Sequence, residues 1–303
     1  MQFNGVIPPV VTPLTDEGEL DVTSLERSVE RMIEAGVNGL FILGSSGEVA
    51  FSTDQRRKEI ISNTIKIVRK RVPILVGCID MQTNRVIEHA KTAEELGADA
   101  VVVTAPFYAL GGEAEVERHF RLVHRAVNVP IFAYDIPVCV HKKLSNNLLI
   151  KLGQEGVLAG VKDSSGDDVS FRFLIQDNER IGSPLTILTG HEVVVDGAYM
   201  SGAHGCVPGL GNVDPFSYVR QWNAYQSGDW EKVREEQEHL ARLMRIVTVT
   251  TGVSGFAGGV GAFKTAMKLM GIFDSNQMPE PVKLLEEKNV EAISEVLKAE
   301  GML

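Results

Sequence analysis

Cysteine is scarce in this sequence: Cys78, Cys139 and Cys206 stand far apart in a chain of 303 residues. An odd number so spaced makes neither a CxxC motif nor a disulfide framework, and it suits a reducing cytosol. Positive charge is also short, with 30 Lys and Arg against 40 Asp and Glu and a formal net charge of -10. No basic run is interleaved with aromatics, so nucleic acid is not an expected partner. Long apolar runs are missing as well. Those around residues 100–105 are the longest and are far too short to span a bilayer, so no membrane association is expected. The opening MQFNGVIPPVVTPL has no basic segment and is broken by Pro8, Pro9 and Pro13, so it does not read as a signal peptide. The seven histidines form no H-x-x-x-H pair, and no G-x-S-x-G is present. Neither a zinc site nor a serine hydrolase is therefore expected. What remains is a soluble, cytoplasmic protein.

What the chain does have is a repeated alternation. Short apolar runs at 6–11, 39–43, 74–76, 100–103, 131–134, 157–161, 185–188 and 205–207 are separated by amphipathic stretches. Most of these runs are continuous, as in strands buried on both faces of a parallel sheet. The helical stretches 22–35, 83–96 and 192–201 close on Gly36, Gly97 and Gly202. The joints EAGVNGLFIL, ELGADAVVVT and MSGAHGCVPG repeat the same phrase of helix, glycine and strand. About eight such units predict an α/β fold, a closed (β/α)8 barrel over residues 1–225. An open doubly wound sheet is the alternative, but no G-x-G-x-x-G follows the first strand. Beyond residue 226 the strands cease. Helices at 230–247, 260–270 and 290–299 predict a C-terminal helical extension over 226–303, packed on the barrel. TGVSGFAGGVG at 251–261 reads as a glycine-rich loop between them, a connector or a phosphate loop, without the Gly-Lys-Ser/Thr ending of a P-loop.

In such a barrel the active site lies at the C-terminal strand ends. Lys162 ends an apolar run and is expected to point into the barrel mouth. There it is stripped of water, and a neutral amine attacks a ketone to form an imine, an electron sink for making or breaking a C–C bond. Spacing alone also allows a lysine paired with Asp163. Tyr134 ends the neighbouring strand, either as a proton carrier for the same cavity or as a buried tyrosine with a satisfied hydroxyl. The turn Gly44-Ser45-Ser46-Gly47-Glu48 offers hydroxyls and backbone N–H groups to a carboxylate, or is a tight empty loop. Asp163, Asp167 and Asp168 read as helix N-terminal residues rather than as metal ligands.

In order along the chain, G-V-I-P-P-V-V-T-P-L, G-S-S-G-E at 44–48, A-P-F-Y at 105–108, Y-D-I-P at 134–137, G-V-K-D-S-S-G-D at 160–167 and L-M-G-I at 269–272 form one set. That set resembles the dihydrodipicolinate synthase / N-acetylneuraminate lyase family of class I aldolases, from Gly5 to about residue 273. The resemblance implies a TIM barrel in which Lys162 is the Schiff-base lysine and Tyr134 the proton-relay tyrosine. It implies that Ser45 and Ser46, with the Gly47 backbone, hold the keto-acid carboxylate, Ser45 also serving the relay. Tyr108 would reach into a neighbouring subunit's site, and Gly190 and Val207 would line the pyruvate pocket. It further implies a homotetramer, a dimer of dimers, using no cofactor, since the imine supplies the electron sink that a metal would otherwise provide.

Three departures bear on the substrate. Cys139 stands two residues after the proline, where dihydrodipicolinate synthases usually carry an arginine for the aldehyde's carboxylate, and a neutral thiol cannot replace a guanidinium there. Asp135 replaces the usual asparagine, and Ala262-Phe263-Lys264 replaces Pro-x-Lys. The expectation is a pyruvate aldolase cleaving a 2-keto-3-deoxy sugar acid. A dihydrodipicolinate synthase, a Schiff-base dehydratase and a non-catalytic ligand-binding barrel are the alternatives. His141, Lys142 and Lys143 read either as contacts to such a sugar acid or as a solvated turn, the turn being the preferred reading.

Overall fold

Local signals in the sequence set where the helices start and stop. The Asp21 side chain accepts from Ser24 N and starts the Val22–Ala35 helix, and Gly36, at φ 89°, ends it in the left-handed region that glycine adopts most readily. Thr83–Leu96 ends the same way on Gly97 at φ 102°. Each stop returns the chain to the sheet. The computed structural model describes residues 3–303.

The strands are β1 (Gly5–Val6), β2 (Leu40–Ile42), β3 (Ile74–Gly77), β4 (Ala100–Thr104), β5 (Ile131–Asp135), β6 (Gly160–Asp163), β7 (Thr186–Thr189) and β8 (Gly205–Cys206). All pair in parallel, in the order β1-β8-β7-β6-β5-β4-β3-β2. A parallel bridge between Pro9 and Phe41 joins the first strand to the second and closes the sheet into the (β/α)8 TIM barrel. β1 is much shorter than the apolar run at 6–11. Pro8 and Pro9 have no N–H to give a ladder; Pro8 O still accepts from Phe41 N at 3.0 Å, and the next donor on this strand is Val10 N, to Phe41 O at 2.8 Å.

Side-chain alternation divides the core in two. Val102, Phe132, Tyr134 and Leu188 fill the barrel interior. Val101, Val103, Ile131 and Ala133 face outward and pack under the helices.

After β8 the chain is helical: Pro215–Ser227, Trp230–Leu243, Arg245–Thr248, Gly255–Leu269 and Glu287–Ala299. Pro215–Ser227 runs through residue 225 and ends at Gly228. Most of the glycine-rich stretch is not a loop: only residues 251–254 lie outside a helix. The Ser254 hydroxyl accepts from Ala257 N, and Gly255–Leu269 is continuous helix. Each glycine costs such a helix about 1 kcal/mol relative to alanine, but Gly258 and Gly261 lie on a buried face, and a Cβ on Gly258 would meet Thr250 Oγ1 at 2.7 Å. From Gly258 onward its amides donate within the helix, so residues 258–261 form no phosphate-cradling loop. Among the described residues no helix is long and apolar enough to cross a membrane.

Candidate active site

Parallel pairing brings Tyr134 and Lys162 together. They are register partners on β5 and β6, so their side chains leave the sheet at the same height and on the same, inward face. Lys162 Nζ lies 4.2 Å from the Tyr134 ring centroid and 4.9 Å from that of Phe41. Lys162 is 6% exposed, so the amine stands among aromatic faces with little water. Asp163 is not its partner. One residue further along the strand it faces outward, where Oδ1 accepts from Ser165 N at 2.8 Å and Oδ2 lies 3.5 Å from Lys143 Nζ. Among the described residues no carboxylate lies within 4.0 Å of the Lys162 ammonium.

Ser45 Oγ is 3.4 Å from the Tyr134 hydroxyl, on the turn that follows β2. Ser46 is half-buried beside it. The turn is held from three sides. Glu48 N donates to Ser45 O at 3.1 Å, Thr12 Oγ1 donates to Gly47 O at 2.8 Å, and Lys264 Nζ donates to Glu48 Oε2 at 2.8 Å. Glu48 and Lys264 are both buried. Burial pushes Glu48 up to about 7 against the pull of Lys264, and burial lowers Lys264 against the pull of Glu48.

Gly190 and Val207 directly follow β7 and β8. A Cβ on Gly190 would come within 2.1 Å of Ser164 Oγ and 3.2 Å of Lys162 Cε, so only glycine leaves the lysine its room. Val207 packs inside the barrel with Tyr134. Cys139 sits on the one-turn helix Pro137–Val140. Partial burial raises its thiol above the ordinary range and the charge of Lys162 lowers it, so the thiol lies within the lysine's field. Tyr108 stays apart: its side chain is 90% exposed and its backbone is left-handed, at φ 73°. Asp167 and Asp168 are helix N-terminal residues as expected, Asp167 accepting from Ser170 N at 2.9 Å.

Sequence reasoning missed three residues here. Phe41 walls the lysine, a contact that only the closed barrel creates. Glu192 follows His191, and its Oε1 accepts from Leu210 N at 2.6 Å. Burial pushes Glu192 up to about 7, against the Leu210 amide and the charge of Lys162. Lys143 is no solvated turn residue, because its ammonium pairs with the buried Asp135. The cluster as a whole offers a water-poor amine beside a phenol that can pass protons to a hydroxyl. Such a set can form an imine with a ketone and move protons at the adjoining carbons.

The model of the dihydrodipicolinate synthetase family matches residues 2–300. A 4-hydroxy-tetrahydrodipicolinate synthase of Phenylobacterium zucineum is 33% identical over 241 residues, 80% of this chain and 81% of the relative. Among solved structures, YagE, a prophage protein of this family from E. coli K12 in complex with pyruvate, superimposes with a TM-score of 0.94 at 28% identity, covering 100% of both chains. A chloride-inhibited dihydrodipicolinate synthase from Acinetobacter baumannii, complexed with pyruvate, gives 0.91 at 25% identity, again covering 100% of both chains.

Proposed function

Because this chain belongs to the dihydrodipicolinate synthetase family, a family of pyruvate-dependent class I lyases, we propose that Lys162 forms its Schiff base and that its substrate is a 2-keto-3-deoxy sugar acid. The observation that carries the assignment is the in-register Tyr134–Lys162 pair with Ser45 3.4 Å from the phenol. Lys162 Nζ attacks the C2 ketone, and the carbinolamine loses water to give the protonated imine. The C3–C4 bond then breaks, its electrons passing into the imine to leave an enamine. Tyr134 takes the C4 hydroxyl proton as the aldehyde departs. Protonation of the enamine at C3 and hydrolysis release pyruvate and restore the amine. Ser45, Ser46 and the Gly47 backbone hold the carboxylate, while Gly190 and Val207 border the pyruvate methyl. No cofactor enters these steps.

Cys139 supports a sugar-acid substrate, since a thiol gives an aldehyde carboxylate no charge-assisted contact. The name of the Phenylobacterium relative favours a second reading, condensation of pyruvate with aspartate semialdehyde. The exposed Tyr108 supports a homotetramer in which it enters a neighbouring subunit's site. The three free cysteines support a cytoplasmic location. A pyruvate-release screen over 2-keto-3-deoxy acids and N-acetylneuraminate, run beside a condensation assay with aspartate semialdehyde, separates the readings. Release of pyruvate from a 2-keto-3-deoxy acid supports ours, and turnover confined to aspartate semialdehyde replaces it.

A further inference from the structure

The ends of β5 and β6 carry a second set of charges that the aldol steps do not use. Asp135 and Asp163 are register partners one residue beyond Tyr134 and Lys162, so they point out of the barrel where those two point in. Asp135 is fully buried and Asp163 is 4% exposed. One cation serves both. Lys143 Nζ donates to Asp135 Oδ2 and lies 3.5 Å from Asp163 Oδ2. The other Asp135 oxygen accepts from Leu144 N at 3.1 Å, so both of its oxygens are taken by consecutive residues of one loop.

That loop borders the proposed pocket. It leaves β5 at Ile136, forms the single turn Pro137–Val140 that carries Cys139, and reverses at His141, whose φ is 55°. Ile136 and Val140 pack in the barrel interior with Tyr134. Its near end is thus fixed by apolar contact and its far end by Lys143 and Leu144. The charge count makes the far end sensitive. Two buried carboxylates share one ammonium, so removing Lys143 leaves them facing each other uncompensated. Asp163 and Asp135 keep Lys143 above the ordinary lysine range although its burial pulls the other way.

We propose that Asp135, Lys143 and Asp163 form a charge clamp that sets the position of the 136–144 loop, and that Lys143 is thereby a positioning residue for the aldehyde half of the substrate. This rests on the aldolase reading above. There the keto-acid carboxylate lies on the Ser45–Ser46 turn after β2, and the Cys139 loop flanks what extends beyond C3. Loosening the clamp should therefore disturb the aldehyde and spare pyruvate.

The test uses Lys143→Met, Lys143→Arg and the double variant Asp135→Asn/Lys143→Met, with glyceraldehyde and pyruvate as probes. In Lys143→Met, borohydride should trap pyruvate as in the wild type, while KM for glyceraldehyde rises about tenfold to a hundredfold, the scale of a small misplacement. Lys143→Arg should restore KM. The double variant removes the carboxylate repulsion, so it should melt closer to the wild type yet keep the raised KM. It remains the deciding variant if Lys143→Met does not fold. Unchanged KM for glyceraldehyde, a KM that recovers together with the melting temperature in the double variant, or equal losses for pyruvate and glyceraldehyde would overturn the clamp's positioning role. A wild type that traps no pyruvate would overturn the aldolase reading beneath it, and the variants are compared only against a wild type that does.

Discussion

Tyr134 and Lys162 face one another across the β5–β6 ladder, with the lysine nitrogen 4.2 Å from the phenol ring centroid. Neighbouring strands lie about 4.8 Å apart whatever their loops do, so the pair's separation is a property of the sheet. Phe41 closes the other side at 4.9 Å, and Gly190 leaves the space into which the lysine extends.

Tyr134→Phe keeps the ring that walls the lysine and removes only the hydroxyl that lies 3.4 Å from Ser45 Oγ. A general acid–base group contributes about 100- to 10,000-fold, so kcat should fall within that range while KM for pyruvate changes little. Steady-state kinetics of the purified variant checks this. Near-normal kcat would make Tyr134 a packing residue.

The buried Glu48–Lys264 pair ties the Ser45–Ser46 turn to the Gly255–Leu269 helix. Lys264→Met leaves a buried carboxylate without its cation and should cost about 3–5 kcal/mol, most of which Glu48→Gln/Lys264→Met should recover. Denaturant unfolding measures both. A double variant as unstable as the single would mean that packing, not charge, sets the loss.

His239 bridges the C-terminal helices, with Nε2 3.1 Å from Asp214 Oδ2 and Nδ1 3.0 Å from Glu300 Oε2. The hydrogen bond to Asp214, with help from Glu300, raises its pKa above the ordinary value despite burial. The folded state thus binds the proton more tightly than the unfolded one. The resulting stabilisation is complete below the ordinary imidazole range and is lost as pH rises through the raised value. The gap in melting temperature between wild type and His239→Gln should be widest below the ordinary imidazole range and should narrow as pH rises above it. A gap independent of pH would assign His239 a neutral role.

Much of this arrangement was legible in the chain itself. Continuous apolar runs marked the buried strands, and Lys162 and Tyr134 stand where two of those runs end. Propensity misled at two places where tertiary contacts dominate. Burial of Gly258 and Gly261 keeps 255–269 helical in spite of its glycines, and Pro8 and Pro9 cut the first strand short within an apolar run. Lys143 read as a solvated turn because the loop that follows β5 must fold back to set it on Asp135, and Asp163 comes beside it only when β5 and β6 pair. Phe41 escaped because only barrel closure brings it to Lys162, and Glu192 because the pairing of β6 with β7 sets it near that lysine.

Cys139 bears on the choice of aldehyde. A charged hydrogen bond of the kind an arginine would supply is worth about 1.5–3 kcal/mol, or on the order of 10- to 150-fold in kcat/KM. The wild type should use aspartate semialdehyde poorly beside a hydroxylated aldehyde at saturating pyruvate, and Cys139→Arg should narrow the difference. If aspartate semialdehyde wins by about tenfold or more, another cation binds its carboxylate and the synthase reading takes over.

The central claim is that Lys162 is the imine-forming residue, and borohydride reduction in the presence of pyruvate tests it most directly. Intact mass should rise by the mass of one reduced pyruvate adduct, peptide mapping should place the adduct on Lys162, and Lys162→Ala should show none. An unmodified wild type, under conditions that label a known class I aldolase, or an adduct on another lysine would contradict the claim.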